Sequence, residues 1–93
     1  MIASFACKET ERIWQRGFSR KLEHAMQTVA LRKLRMLHHA RRLEDLRVFP
    51  GNRLEALKGD RIGQWSIRIN DQWHLCFRWH EGDAHHVEIV DYH

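Results

Sequence analysis

Through the last third of the chain, apolar and polar residues alternate one by one. Trp65, Ile67 and Ile69 alternate with Gln64, Ser66 and Arg68, and Trp73, Leu75, Phe77 and Trp79 alternate with Gln72, His74, Cys76 and Arg78. A period of two predicts half-buried antiparallel strands, because successive side chains point to opposite faces. Paired residues must share a face, so parity also fixes the loop between the strands. A two-residue turn at Asn70-Asp71 sets Ile67 against His74. A three-residue loop, Asn70-Asp71-Gln72, instead sets Ile67 opposite Leu75 and Trp65 opposite Phe77, with Arg68 opposite His74 and Gln64 opposite Arg78 on the other face. Glu81-Gly82-Asp83 then turns the chain into a final strand whose Val87 and Ile89 continue the apolar side. The same parity puts Asp91 with the apolar set, so the strand has to end or twist after Val90 for Asp91 and His93 to reach the polar side.

The first half carries a different period. Lys8 to Phe18 reads as a helix with Ile13, Trp14 and Phe18 inward, after a short apolar start at Ile2 and Phe5. Gly17 to Ser19 is the break, with Ser19 as the expected N-cap of the next helix. In that helix Leu22, Met26, Val29, Ala30, Leu34 and Leu37 recur at steps of three and four and form one stripe, with Arg32, Lys33 and Arg35 off it. Val48 to Asn52, with Pro50 and Gly51, is a turn. The expected fold is α+β: two N-terminal helices on one face of a small, mainly antiparallel sheet, in the order β-α-α-β-β-β, with residues 1–93 as a single domain.

Composition narrows the class. With 43% hydrophobic residues and four tryptophans the chain can build one small core and does not resemble a disordered segment. Cys7 and Cys76 lack CxxC or zinc-ligand spacing and no signal peptide precedes them, so a reduced, cytoplasmic protein is expected. No apolar run approaches the ~20 residues that a membrane-spanning helix needs. The formal charge of +4 conceals an asymmetry: residues 12–42 hold nine Lys/Arg against the single acid Glu23, whereas residues 43–93 hold six against nine Asp/Glu. Acids do not interleave with these bases, and a basic half of this kind seeks a polyanion, of which nucleic acid is the most abundant.

Candidate chemistry collects on one side of the predicted sheet. Arg68, His74 and Arg78 share its polar face, and the last strand ends in Asp91-Tyr92-His93, a carboxylate, a phenol and an imidazole that titrates near neutral pH. The pairs His38-His39 and His85-His86 lack a third ligand at a fixed spacing, so no metal site is expected, and no glycine-rich phosphate loop is present.

One segment adds specificity. Leu54-Glu55-Ala56-Leu57-Lys58-Gly59-Asp60-Arg61-Ile62-Gly63, then Ser66-Ile67, a turn, Trp73 and Phe77, and the terminal Asp91-Tyr92-His93 together resemble the HigB-type toxins of the RelE superfamily, and the opening Met1-Ile2-Ala3-Ser4-Phe5 fits as well. The resemblance covers the whole chain. It implies a RelE-like toxin of a type II toxin–antitoxin pair that enters the ribosomal A site and cleaves mRNA there without metal or small-molecule cofactor, the substrate's 2′-hydroxyl attacking the adjacent phosphate. Such chemistry needs a base, an acid and fixed positive charge.

By position, the resemblance makes Asp91, Tyr92 and His93 the terminal catalytic set and Lys58 the lysine beside the scissile phosphate. Two positions depart from the best-known pattern: Glu55 replaces a histidine between the leucines, and His74 replaces an arginine after the strand tryptophan. The base is then Glu55 or Asp91, with His93 as acid or as partner of the base and Tyr92 orienting. Arg61, Arg68, His74 and Arg78 are the expected RNA and phosphate contacts. Implied partners are a helix-turn-helix antitoxin of HigA type, the ribosome and mRNA, with no membrane. The alternative is an interaction toxin of ParE type, acting on a gyrase, or a basic nucleic-acid-binding module. Neither alternative needs an Asp-Tyr-His terminus.

Overall fold

The computed structural model describes residues 1–91. Its helices are α1 (Lys8–Arg16), α2 (Gln27–His39) and the single turn α3 (Glu44–Arg47); its strands are β1 (Glu55–Ala56), β2 (Trp65–Arg68), β3 (Trp73–His80) and β4 (Asp83–Asp91). Among the described residues the strands form one antiparallel sheet in the order β1-β2-β3-β4. The register follows from side-chain parity. Trp65 faces Phe77, Ile67 faces Leu75 and Arg68 faces His74, and both Ile69 and Asn70 donate their N–H to Trp73 O across the three-residue loop.

The apolar sheet face and the helices share one core. Ile67, Leu75, Phe77 and Val87 are fully buried against Ile13, Leu34 and Leu37. Helix α2 buries Ala30, Leu34 and Leu37 of the predicted stripe and half-buries Val29; Met26 lies in the 3-10 turn that leads into it, and Leu22, expected in the helix, lies in a bend before that turn, half-buried against the core. The chain departs from expectation at its first helix end. Gly17 takes a left-handed conformation (φ 86°) and donates to Ile13 O, which terminates α1 at Arg16, two residues before the pattern does, and leaves Phe18 49% exposed. Ser19 is not the cap of α2. It is buried, receives a hydrogen bond at its carbonyl from Gln27, and donates its hydroxyl to Glu9, tying the loop back to α1.

Lys33, expected on the solvent side of α2, is also buried. Its Nζ donates to Asn52 Oδ1, and Asn52 in turn donates to Leu46 O at 3.0 Å, so the turn at 50–52 is fastened to α2 through polar atoms. Burial lowers the Lys33 pKa, with Arg32 and Arg68 adding repulsion.

The expected first strand is reduced to two parallel bridges, Ile2 to Ala84 and Phe5 to Val87, which nonetheless close the free edge of β4. Ala84 and Val87 donate to Met1 O and Ser4 O, and His86 donates to Ser4 Oγ. Where the N-terminal segment leaves the edge, Thr10 of α1 takes over, its Oγ1 accepting from Ile89 N at 2.9 Å. An edge so occupied offers no row of free donors for another strand to pair with. Thr10→Val keeps the volume but removes the acceptor from a fully buried N–H. Urea unfolding should show a loss of about 1–3 kcal/mol, and an unchanged midpoint would mean that this bond is dispensable.

Candidate active site

On the outer face of the sheet, the even-numbered residues of β2 and β3 form rows with their partners on β1 and β4. Glu55 pairs with Ser66, Ser66 with Cys76 and Cys76 with Glu88, which makes a central row. Arg68, His74 and Val90 form the row on one side of it. The central row is covered. Arg61, in the 3-10 turn that follows Lys58, reaches over the face to donate from Nη1 to Glu88 Oε1 at 2.9 Å and to Gln64 Oε1 at 3.1 Å, and Ser66 and Cys76 beneath are buried. Burial pushes the Cys76 thiol up to about 11, so it is a protonated structural group and not a nucleophile.

The Arg68 row is more open. Arg68 donates to Asp71 in the β2–β3 loop, and that contact holds the Asp71 carboxyl below the usual range. His74 is half-buried. Burial lowers its pKa first, the Glu55 carboxylate acts to raise it, and Arg68 lowers it further; the net direction is down, leaving a neutral imidazole at pH 7. Arg68, His74 and Glu55 are thus brought within electrostatic reach of one another. Lys58 precedes the 3-10 turn on the segment that carries Glu55, and its side chain is exposed.

Two predicted residues lie elsewhere. Arg78 sits beyond the central row, paired with His85 across β3 and β4. Asp91 pairs with Trp73, so β4 does not twist it onto the polar side, and its Oδ2 accepts from Gln72 Nε2 at 3.0 Å. Tyr92 and His93 lie outside the described residues. Arg61 serves a purpose that its loop position did not disclose: it bridges the loop to Glu88. The signal available for that was Glu88 itself, an acid on the outer parity of β4.

Comparison with known proteins follows this geometry. A family model described as RelE-like toxin of type II toxin-antitoxin system HigB matches residues 3–93. Toxin HigB-1 of Vibrio cholerae is 42% identical over 65 residues, 70% of this chain and 68% of that protein. Endoribonuclease HigB of Proteus vulgaris is 44% identical over 41 residues, 44% of this chain and 45% of that protein. Among solved structures, a YoeB/ParE toxin from Agrobacterium tumefaciens superposes with a TM-score of 0.56 over 100% of both chains at 19% identity, a likeness of fold.

The lowered His74 pKa has a consequence for stability. An imidazole that binds its proton less tightly when folded than when unfolded leaves the unfolded chain holding more protons, so the stability it permits is full above about pH 6.5 and declines as pH falls. In an NMR titration His74 should have its midpoint below 6.5, and His74→Gln should lessen the drop in urea midpoint between pH 7.5 and 5.5. A His74 midpoint at or above 6.5 would contradict the burial argument.

Proposed function

Because the chain belongs to the HigB family of RelE-like toxins of type II toxin–antitoxin systems, we propose that residues 1–93 act as one toxin domain, a ribosome-dependent endoribonuclease that cuts mRNA in the A site. The observation that carries this reading is the outer-face row in which Arg68 stands opposite His74, with the Glu55 carboxylate close to that imidazole. The activity is also the one named for the Proteus vulgaris relative, Endoribonuclease HigB.

The reaction follows from what RNA supplies. A base removes the proton of the 2′-hydroxyl, and the 2′-oxygen attacks the adjacent phosphorus. The 5′-oxygen of the next nucleotide leaves with a proton from an acid, giving a 2′,3′-cyclic phosphate and a 5′-hydroxyl. Glu55 or Asp91 takes the first proton; His93 gives the second or supports the base, and Tyr92 orients the group. Asp91 enters on this scheme from the end of the sheet beside Gln72, and Glu55 from the exposed rim of β1. Lys58 and Arg68 hold charge against the phosphorane, the neutral His74 adds one N–H donor, and Arg78 binds phosphate farther along the strand. Arg61, occupied with Glu88 and Gln64, contributes by holding the Lys58 segment over the sheet.

Membership of the family implies an antitoxin partner; a HigA-like helix-turn-helix protein is the proposed one, with ribosome and mRNA as the target. No helix among the described residues is long and apolar enough to cross a membrane, and a cytoplasmic location accords with a ribosomal target.

Two variants test the reading on programmed ribosomes. Arg68→Ala removes a half-buried guanidinium from the polar face and should lower cleavage on the order of 10²–10³-fold, the worth of one fixed charge-stabilising donor, with circular dichroism unchanged. Removing Asp91, Tyr92 and His93 takes away the proposed acid/base set while Val87 and Ile89 still complete the core, so the shortened protein should fold and bind its antitoxin without cleaving. Association with ribosomes should weaken as salt rises through counterion release. A folded truncation that cleaves near the full-length rate would remove the terminal residues from the mechanism.

A further inference from the structure

We propose that the end of the outer sheet face farther from Arg68 is a second nucleotide subsite, where one RNA base stacks against the imidazoles of His80 and His85 while Arg78 pairs with the neighbouring phosphate. The inference rests on the ribonuclease reading and adds where the substrate strand continues beyond the scissile bond. Four residues along β3 separate His74 from Arg78, roughly 13 Å at the rise of a strand, so this end lies outside the reacting centre yet on the same surface.

Four observations converge there. A cavity of about 340 Å³ opens between Gly63, Arg78, Trp79, His80, His85 and His86, room for a flat heterocycle. Apart from Gly63 its lining side chains are aromatic or cationic, and Glu81 at the exposed turn stands 3.7 Å from His80 Nε2. A bulge in β4, where His86 takes φ 54°, shifts the register between Cys76 and Arg78 and sets His85 opposite Arg78. The His80 and His85 rings lie 6.1 Å apart at 66°, edge to face, and both border the cavity.

Gly63 completes the arrangement. At φ +90° it leaves room for the Arg78 guanidinium: a Cβ there would come within 2.7 Å of Nη1. The guanidinium therefore lies over Gly63, beside the cavity. Metal chemistry does not account for the histidines, since among the described residues no three His, Cys, Asp or Glu side chains come together as a metal site. A cationic fork beside imidazole faces suits a nucleotide, with stacking for the base and charge for the phosphate.

The test is fluorescence anisotropy at low salt with single-stranded 2′-O-methyl RNA, which cannot be cleaved, lengthened one nucleotide at a time. Affinity should rise in a step of about tenfold, the worth of one stacked base, when the strand becomes long enough to reach the cavity. His80→Ala with His85→Ala should abolish the step, an abasic nucleotide at that position should do the same in the unaltered protein, and Gly63→Ala should reduce it by displacing Arg78. A step that survives the double substitution, or the abasic nucleotide, overturns base stacking. Binding without any step overturns the subsite while leaving the ribonuclease reading in place. No binding to RNA of any length likewise overturns the subsite, while the ribonuclease reading is decided by cleavage on programmed ribosomes.

Discussion

The register between β2 and β3 is the constraint from which the other features of the molecule descend. With Ile67 held opposite Leu75, every odd side chain of both strands enters the core and every even one faces outward. A slip of β3 by one residue would exchange that strand's faces, burying His74 and Arg78 and exposing Leu75 and Phe77. Burial of Ile67, Leu75 and Phe77 under α1 and α2 therefore fixes the outer face at the same time as it stabilises the fold. The chemistry of the site is borne by the reverse side of the core pattern.

The outer face is divided by that scaffold and is not a uniform cationic floor. Arg61 crosses the centre to Glu88 and shuts away Ser66 and Cys76, leaving Arg68 with His74 on one side and Arg78 with His85 on the other. The division separates roles. Arg68 is steadied by Asp71 and stands beside a neutral imidazole and the Glu55 carboxylate, a combination of fixed charge and proton acceptors suited to phosphoryl transfer. Arg78 has no ion-pair partner among the described residues; it lies over a glycine opposite His85 and borders an open cavity, which fits the proposed role of holding a strand in place. The Arg61 tether links both halves, because it fixes the segment that bears Lys58 and Gly63.

How much of this was legible in the chain depends on whether a feature is local or long-range. Strand alternation and the Asn70-Asp71-Gln72 loop are local, and parity alone sufficed to pair Arg68 with His74. Helix α2 was plain from its stripe at Ala30, Leu34 and Leu37, but its start was not, since the chain bends through Leu22 and a 3-10 turn before the helix begins at Gln27. Lys33 was misjudged because its burial depends on Asn52, nineteen residues away, whose side chain supplies the acceptor. Phe18 was misjudged because the left-handed turn at Gly17 outweighs the apolar period that continues past it. Arg61 showed itself as a loop cation, while its partner Glu88 lies two strands across the sheet. Asp91 kept the parity that the alternation gave it and pairs with Trp73 instead of turning outward. The family resemblance named candidate residues at the end of the chain; of the two candidate bases, Glu55 lies on the outer row and acts on His74, whereas Asp91 keeps the inner parity of β4.

The central claim is that this outer face cleaves RNA on the ribosome by transfer to the 2′-oxygen. The most direct measurement is the chemical identity of the new ends formed when the purified protein meets a defined mRNA, free or bound to a programmed ribosome with its A site empty. The account predicts cuts within the A-site codon of the bound message alone, leaving a 2′,3′-cyclic phosphate on one fragment and a 5′-hydroxyl on the other, in the presence of a chelator. An mRNA that stays intact on the ribosome, while the same preparation arrests supercoiling by a gyrase, would contradict the claim and assign the fold to a toxin that acts by contact.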